Sequence, residues 1–253
     1  MVYGEYESMI EICKVTPSFA PRPICWGSCL ESDHHFFLCE FHDLDSKLPS
    51  IPDFVREVAK LHQESHSPYG MFGFHVTTYN GTLEQDNTWT DSWEKFYALG
   101  TVRMLALEES ARGPNSELKQ LSKELLDKVI PRLLRPLESQ GRKVRPSLLH
   151  GDLWVGNVAT NKATGQPMIF DSSAYYGHHE CESGVRQASN ISQYTNIPSI
   201  DELSTLRPMN NDWSRECIEA YHTHIPKDAP VEDWDSRNAL YALYVLHSYL
   251  VSL

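Results

Sequence analysis

Apolar residues recur at helical spacing between Gly4 and Val15, where Tyr6, Met9, Ile10 and Cys13 form one stripe that Pro17, Pro21 and Pro23 bring to a close. Two apolar runs follow, Ile24 to Leu30 and Phe36 to Phe41, and the polar Glu31-Ser32-Asp33-His34 between them predicts an antiparallel strand pair. After a polar break at Asp43 to Ser50, the spacing of Phe54, Val55, Val58, Leu61 and His62 predicts a helix. Ser50 is its natural N-cap, and Pro52 is tolerated in its first turn. Tyr69 to Asn87 lacks a sustained period and is rich in Gly, Thr and Asn, so it reads as an irregular segment long enough to have a task.

Two long helices are predicted next, one around Trp93, Phe96, Tyr97 and Met104, and one around Leu118, Leu121, Leu125 and Val129, which Pro131 should kink or end. Beyond Pro146, the stretches Leu148-Leu149, Asn157 to Ala159 and Met168 to Phe170 are short and apolar, divided by turn residues such as Asn161 and Gly165, as in strands lining a site. Trp213 to His222 and Asp235 to the C-terminus read as helices, whereas Ser183 to Asn211 is polar and carries no clear period. No repeat or low-complexity tract divides the chain, so a single continuous fold is expected.

Composition narrows the partners. The 253 residues are 41% hydrophobic and 11% aromatic, enough for a sizeable core. Lys and Arg total 22 against 34 Asp and Glu, and the formal charge of −12 repels a phosphate backbone, which excludes nucleic acid as a partner. No apolar run approaches the roughly 20 residues that span a bilayer, and Met1-Val2-Tyr3-Gly4-Glu5 is no signal peptide, so no membrane is expected and the chain reads as cytoplasmic. The six cysteines lack C-x-x-C or zinc-finger spacing and are expected as reduced thiols.

The chemistry concentrates in His150-Gly151-Asp152-Leu153-Trp154-Val155-Gly156-Asn157, which fits the kinase catalytic-loop pattern H-x-D-L-x-x-x-N. At that spacing the Asp accepts a proton from an attacking hydroxyl, while the Asn five positions on turns back to a magnesium ion. Met168-Ile169-Phe170-Asp171 is an apolar run ending in a carboxylate, which makes Asp171 the candidate second metal ligand. Taken singly, Asp152 and Asp171 read equally well as carboxylates capping turns. Their combination with His150 and Asn157 at kinase spacing favours phosphoryl transfer. His178-His179 with Glu180 and Glu182, and His222-x-His224, offer donors of the zinc or iron type. With no third ligand at fixed spacing, hydrogen-bonded histidines are the expected reading. No G-x-S-x-G elbow supports a hydrolase.

The run from Leu148 to Asn157, followed by Phe170-Asp171 and Tyr175-Tyr176-Gly177-His178, resembles the fructosamine (ketosamine) 3-kinase family, within the aminoglycoside-phosphotransferase-like kinases. Gly4-Glu5, Pro21-Arg22-Pro23, Leu38 to His42, Leu61-His62, Phe72-Gly73-Phe74, Gln85-Asp86-Asn87, Trp93, Phe96, Arg237 and Leu240-Tyr241 extend the likeness over most of the chain. It implies an α+β, protein-kinase-like fold, with residues 1–44 as a truncated N-terminal β lobe and hinge and 45–253 as a mostly helical C-terminal lobe. It also implies ATP- and Mg2+-dependent phosphorylation of the 3-hydroxyl of ketosamines, free or on glycated proteins, after which the adduct falls apart and the protein is deglycated. On that likeness Asp152 is the base, Asn157 and Asp171 hold the metal, Glu40, Phe41 and His42 offer backbone to adenine, and Glu5 is the helix glutamate that pairs with an ATP-orienting lysine. Glu40 to His42 also read as an ordinary strand end.

The glycine-rich strand pair and that lysine would precede Met1, and neither Lys14 nor Lys47 lies on the expected strand. Ser172 stands where the family commonly has Pro, and polar 183–211 replaces an expected apolar helix. An impaired pseudokinase and an aminoglycoside- or choline-type phosphotransferase are therefore the alternatives.

Overall fold

A computed structural model describes residues 1–183 and 212–252. Helix α1 (Val2–Val15) buries Gly4, Ser8, Met9 and Ile12, with Glu5 in its first turn and Lys14 in its last, as the helix dipole favours. Gly4 is needed where α1 abuts another segment, because a Cβ there would lie 2.5 Å from the Thr77 carbonyl oxygen. Strands β1 (Pro23–Ser28) and β2 (His35–Cys39) pair antiparallel, as the two apolar runs predict. The ribbon leaves Ile24, Trp26, Phe36 and Leu38 exposed, and it leans on α1 through ring contacts of Tyr3 with Trp26 (4.7 Å) and Tyr6 with Phe37 (6.0 Å).

After β3 (Leu44–Asp45), helix α2 (Ile51–Glu64) starts where Ser50 Oγ accepts the Asp53 amide at 3.4 Å, with Phe54, Val55, Val58, Leu61 and His62 on its buried face. The irregular segment expected around 69–87 contains only the two-residue strands β4 (Tyr79–Asn80) and β5 (Leu83–Glu84). Helix α3 (Trp93–Arg112) is capped by Ser92 and ends at Gly113, whose φ of +82° suits glycine. Helix α4 (Ser116–Glu124) passes through a π turn at Leu125–Val129 into α5 (Ile130–Leu134). Pro131 therefore does not stop the helix. Its missing N–H and bulky ring are accommodated by widening the preceding turn, the usual alternative to a sharp break.

The remaining strands are β6 (Ser147–Leu149), β7 (Val158–Asn161), β8 (Pro167–Ile169) and β9 (Tyr175–Gly177). β3, β7 and β8 form one antiparallel sheet, while β6 pairs with β9, bringing Leu149 opposite Tyr175. β9 has three residues, too few to show an alternation along the sequence. Helices α6 (Asp212–His224) and α7 (Trp234–Ser252) complete the described chain, and the reading of 183–211 as an unplaced polar segment falls, beyond Ser183, outside the described residues. All six cysteines are free thiols, as expected.

The core gathers on Trp93, which is 1% exposed and packs against Phe72, Phe96, Tyr97 and Tyr241. Beside it Arg237 is wholly buried, with Nε donating to Glu180 Oε2 (3.0 Å) and its terminal nitrogens to the Asp228 and Pro230 carbonyls, both at 2.7 Å. Removing one partner of such a buried pair strands the other charge, so Arg237→Ala should lower the unfolding free energy by about 3–5 kcal/mol. Equilibrium urea unfolding checks this, and a loss below about 1 kcal/mol would contradict it.

Candidate active site

The putting together of the catalytic loop begins at His150, which follows β6 and is completely buried. Its Nδ1 accepts the Asp152 amide (3.4 Å), so its Nε2 carries the hydrogen and donates to the Phe170 carbonyl (3.1 Å). Burial lowers its pKa and keeps the ring neutral, consistent with that bonding. Gly151 follows with φ +84°, and a Cβ there would collide with the Ser173 carbonyl, which accounts for glycine at this place in the loop. On the other side, the His150 carbonyl accepts the Ser173 amide (3.0 Å) and the Ser172 hydroxyl (2.9 Å). Ser172 thus has a bond of its own to the loop.

Asp152 and Asn157 are joined directly. Asn157 Nδ2 donates to the Asp152 carbonyl (2.9 Å), to Asp152 Oδ2 (3.3 Å) and, at 3.5 Å, to the Asp171 carbonyl. With Nδ2 committed to these oxygens, Oδ1 is the atom Asn157 presents to a cation. The β7–β8 hairpin returns the chain so that the Phe170 amide donates to the Asn157 carbonyl (3.2 Å), which sets Asp171 beside the loop. Asp171 is exposed and has φ +60°, a left-handed conformation that Asp tolerates better than most residues. The structure therefore brings together the three residues singled out at kinase spacing. An oxygen-rich set of carboxylate and amide groups suits magnesium.

Glu5 approaches from α1. Its pKa is raised to about 7, first by burial and then by the charge of Asp171. His42 lies at the other end of β7, roughly 13 Å along the strand from Asn157 at ~3.3 Å per residue, and Glu40 and Phe41 precede it in the chain. There Asn161 Nδ2 donates to His42 Nδ1 (3.1 Å), Arg22 pairs with the Glu40 carboxylate (2.7 Å), and Phe41 is 91% exposed.

From the sequence alone Glu182 is only a candidate metal donor. In the structure its buried carboxylate accepts the backbone amides of both His150 and Gly151, fixing the bend that aims Asp152. Nothing in the sequence around Glu182 marks it for this role, since a carboxylate that accepts backbone amides needs no fixed neighbour along the chain. His178 and His179 are hydrogen-bonded, as expected, His178 to Asp228 and Tyr241 and His179 to Tyr221, and both face Asp228, which lies far along the chain. His222 Nδ1 donates to the Ile225 carbonyl (3.0 Å), and among the described residues His222 and His224 join no group of three or more candidate metal ligands.

The raised pKa of Glu5 makes a test of its surroundings. The folded chain holds a proton on Glu5 up to about pH 7, whereas the unfolded chain holds it only below about 4.5, so this group weakens the fold as pH rises between those values. Glu5→Gln should therefore melt higher than the parent at about pH 8, with the gap closing towards pH 4.5, as followed by thermal unfolding across the range. A gap independent of pH would show that Glu5 is not strained by its neighbours.

Known proteins resemble the chain in sequence and in fold. The profile of the family described as Fructosamine kinase matches residues 1–193. A protein-ribulosamine 3-kinase, chloroplastic, from Oryza sativa is 31% identical over 165 residues, covering 65% of this chain and 46% of the relative. A ketosamine-3-kinase from Mus musculus is 33% identical over 174 residues, covering 68% of this chain and 46% of the relative. The chain thus spans about half the length of these curated relatives. Among solved structures, a candidate fructosamine-3-kinase from Haemophilus somnus superposes with a TM-score of 0.56 at 20% identity, over 98% of this chain and 80% of that one. An aminoglycoside phosphotransferase, APH(4)-Ia, superposes with a TM-score of 0.54 at 12% identity, over 98% of this chain and 83% of that one. At such identities they establish the fold alone, which is α+β and protein-kinase-like. With the profile covering three quarters of its length, the chain belongs to the fructosamine kinase family.

Proposed function

We propose that this chain phosphorylates a hydroxyl of ketosamines, using ATP and Mg2+, with Asp152 as the base. The observation that carries the reading is the Asn157 amide, which ties Asp152 and Asp171 into one constellation. Asp152 accepts the proton of the attacking hydroxyl and is held in place by its own amide on His150. Asn157 Oδ1 and the Asp171 carboxylate would hold the metal, and the bound cation would neutralise charge on the transferring phosphoryl group. The backbone of Glu40, Phe41 and His42 would take the adenine, residues 1–44 forming the N-lobe remnant and hinge, and 45–253 the C-lobe. The mouse and rice relatives, described as ketosamine-3-kinase and protein-ribulosamine 3-kinase, point to the 3-hydroxyl of fructosamine or ribulosamine adducts, free or on glycated proteins. Breakdown of the phosphorylated adduct would then release the amine and deglycate the protein.

The competing reading is a chain that binds ligands but transfers phosphate poorly. Incubation with ATP, magnesium and a fructosyl-lysine analogue separates the two. Product should form and fall by about 10²–10⁴-fold in Asp152→Asn, with nucleotide binding retained. Nucleotide binding without turnover would establish the second reading, and preferred turnover of choline or an aminoglycoside would move the substrate class.

A further inference from the structure

Away from the catalytic loop, the consecutive His178 and His179 turn both Nε2 atoms towards one carboxylate oxygen, Asp228 Oδ2, at 2.8 and 3.4 Å. The potential ligand atoms of His178, His179, Glu180 and Asp228 all lie within 4.8 Å of one another. Glu180 is already committed to Arg237 and to the Asp228 amide (2.8 Å), so it fixes the Asp228 loop rather than joining the cluster. Asp228 itself is partly exposed and gives the cluster a path to solvent.

The direction of the hydrogen bonds around His179 shows what the cluster lacks. His62 is 1% exposed, and its Nε2 has no hydrogen-bond partner among the described residues, but it stands 3.8 Å from Glu182 Oε2. A bare Nε2 would set a lone pair against a carboxylate, so the favoured neutral tautomer carries the hydrogen on Nε2 and accepts at Nδ1. The donor to that Nδ1 is the Tyr221 hydroxyl, 2.7 Å away. Having given its hydrogen to His62, the Tyr221 oxygen accepts from His179 Nδ1 (3.0 Å). A neutral His179 is then bare at Nε2, and it faces the Asp228 oxygen with two acceptors in apposition. Only a positive charge between them makes the pair favourable. The 3.4 Å separation is that of two ligands on a tetrahedral centre with arms of about 2.0–2.1 Å.

His178 has the opposite polarity. Trp93 Nε1 can only donate, here to Tyr241 (2.9 Å), so the Tyr241 hydroxyl donates to His178 Nδ1 (2.8 Å) and His178 Nε2–H donates to Asp228. His178 therefore orients the carboxylate from behind, as outer-shell partners of ligating groups do.

We propose that His179 Nε2 and the Asp228 carboxylate bind a zinc-type divalent cation, with water completing the coordination and His178 positioning Asp228. Imidazole with carboxylate selects zinc over magnesium, which prefers an all-oxygen shell, so this site is chemically distinct from the one at Asn157 and Asp171. It does not depend on the kinase reading. Metal-free protein titrated calorimetrically with zinc chloride in excess magnesium should take up one zinc per chain at micromolar affinity. Binding should weaken by about tenfold or more in His179→Gln and in Asp228→Asn, and should be unchanged in Asp171→Asn. Zinc-edge X-ray absorption on the unaltered protein, which needs no variant to fold, should show nitrogen and oxygen ligands without sulfur. The proposal falls if no saturable zinc binds, since the charge beside His179 is then a proton, if a thiolate ligand appears, or if binding follows Asp171 instead of His179.

Discussion

The active-site arrangement depends on one buried carboxylate gripping the backbone. Glu182 accepts two consecutive amides, those of His150 and Gly151, at a bend where the chain has left β6 and has no strand partner for them. Each such amide left without an acceptor in the interior would cost about 1–3 kcal/mol. The grip is possible only because residue 151 lacks a side chain and the Ser173 carbonyl occupies the space. Ser172 and Ser173 close the bend from the opposite side through the His150 carbonyl. Asp152 inherits its direction from these bonds, and Asn157 inherits its place from Asp152.

Much of this could be read from the amino acids. Helical spacing marked α1, α2, α3, α6 and α7, and Ser50 and Ser92 cap helices where a hydroxyl followed by a periodic apolar run would place them. Asp152, Asn157 and Asp171 were visible because their meeting is set by local chain geometry, a loop and one hairpin. What stayed hidden has a common physical character. The partners of Glu182, of Arg237 and of His179 lie tens of residues away, and a carboxylate that accepts backbone amides has no preferred neighbour in sequence. Of the two outcomes open at Pro131, the helix does not end there, since a widened turn absorbs the ring.

Behind the loop, a column of polar side chains crosses an otherwise apolar interior, from Glu182 through His62, Tyr221 and His179 to Asp228, and on through His178 and Tyr241 to Trp93. Groups of this kind are expensive to bury singly and become tolerable as a chain, because each member satisfies the next. The Asp228 pKa is driven well below the usual carboxylate range despite its partial burial, by the two imidazoles that face it. The column also joins α2, α6 and α7 to the loop bearing Asp152, so that their relative placement is set by directional bonds as well as by oily contact.

Helix α1 is shared between two neighbours with little else in common. Its tyrosines, Tyr3 and Tyr6, support a two-stranded ribbon that would be marginal by itself, while Ser8 Oγ accepts the Ala174 amide (3.0 Å) and Glu5 feels Asp171. One helix of fourteen residues thus carries the exposed ribbon on Tyr3 and Tyr6 and meets the segment around Asp171 through Glu5 and Ser8, so the placing of the one is tied to the placing of the other.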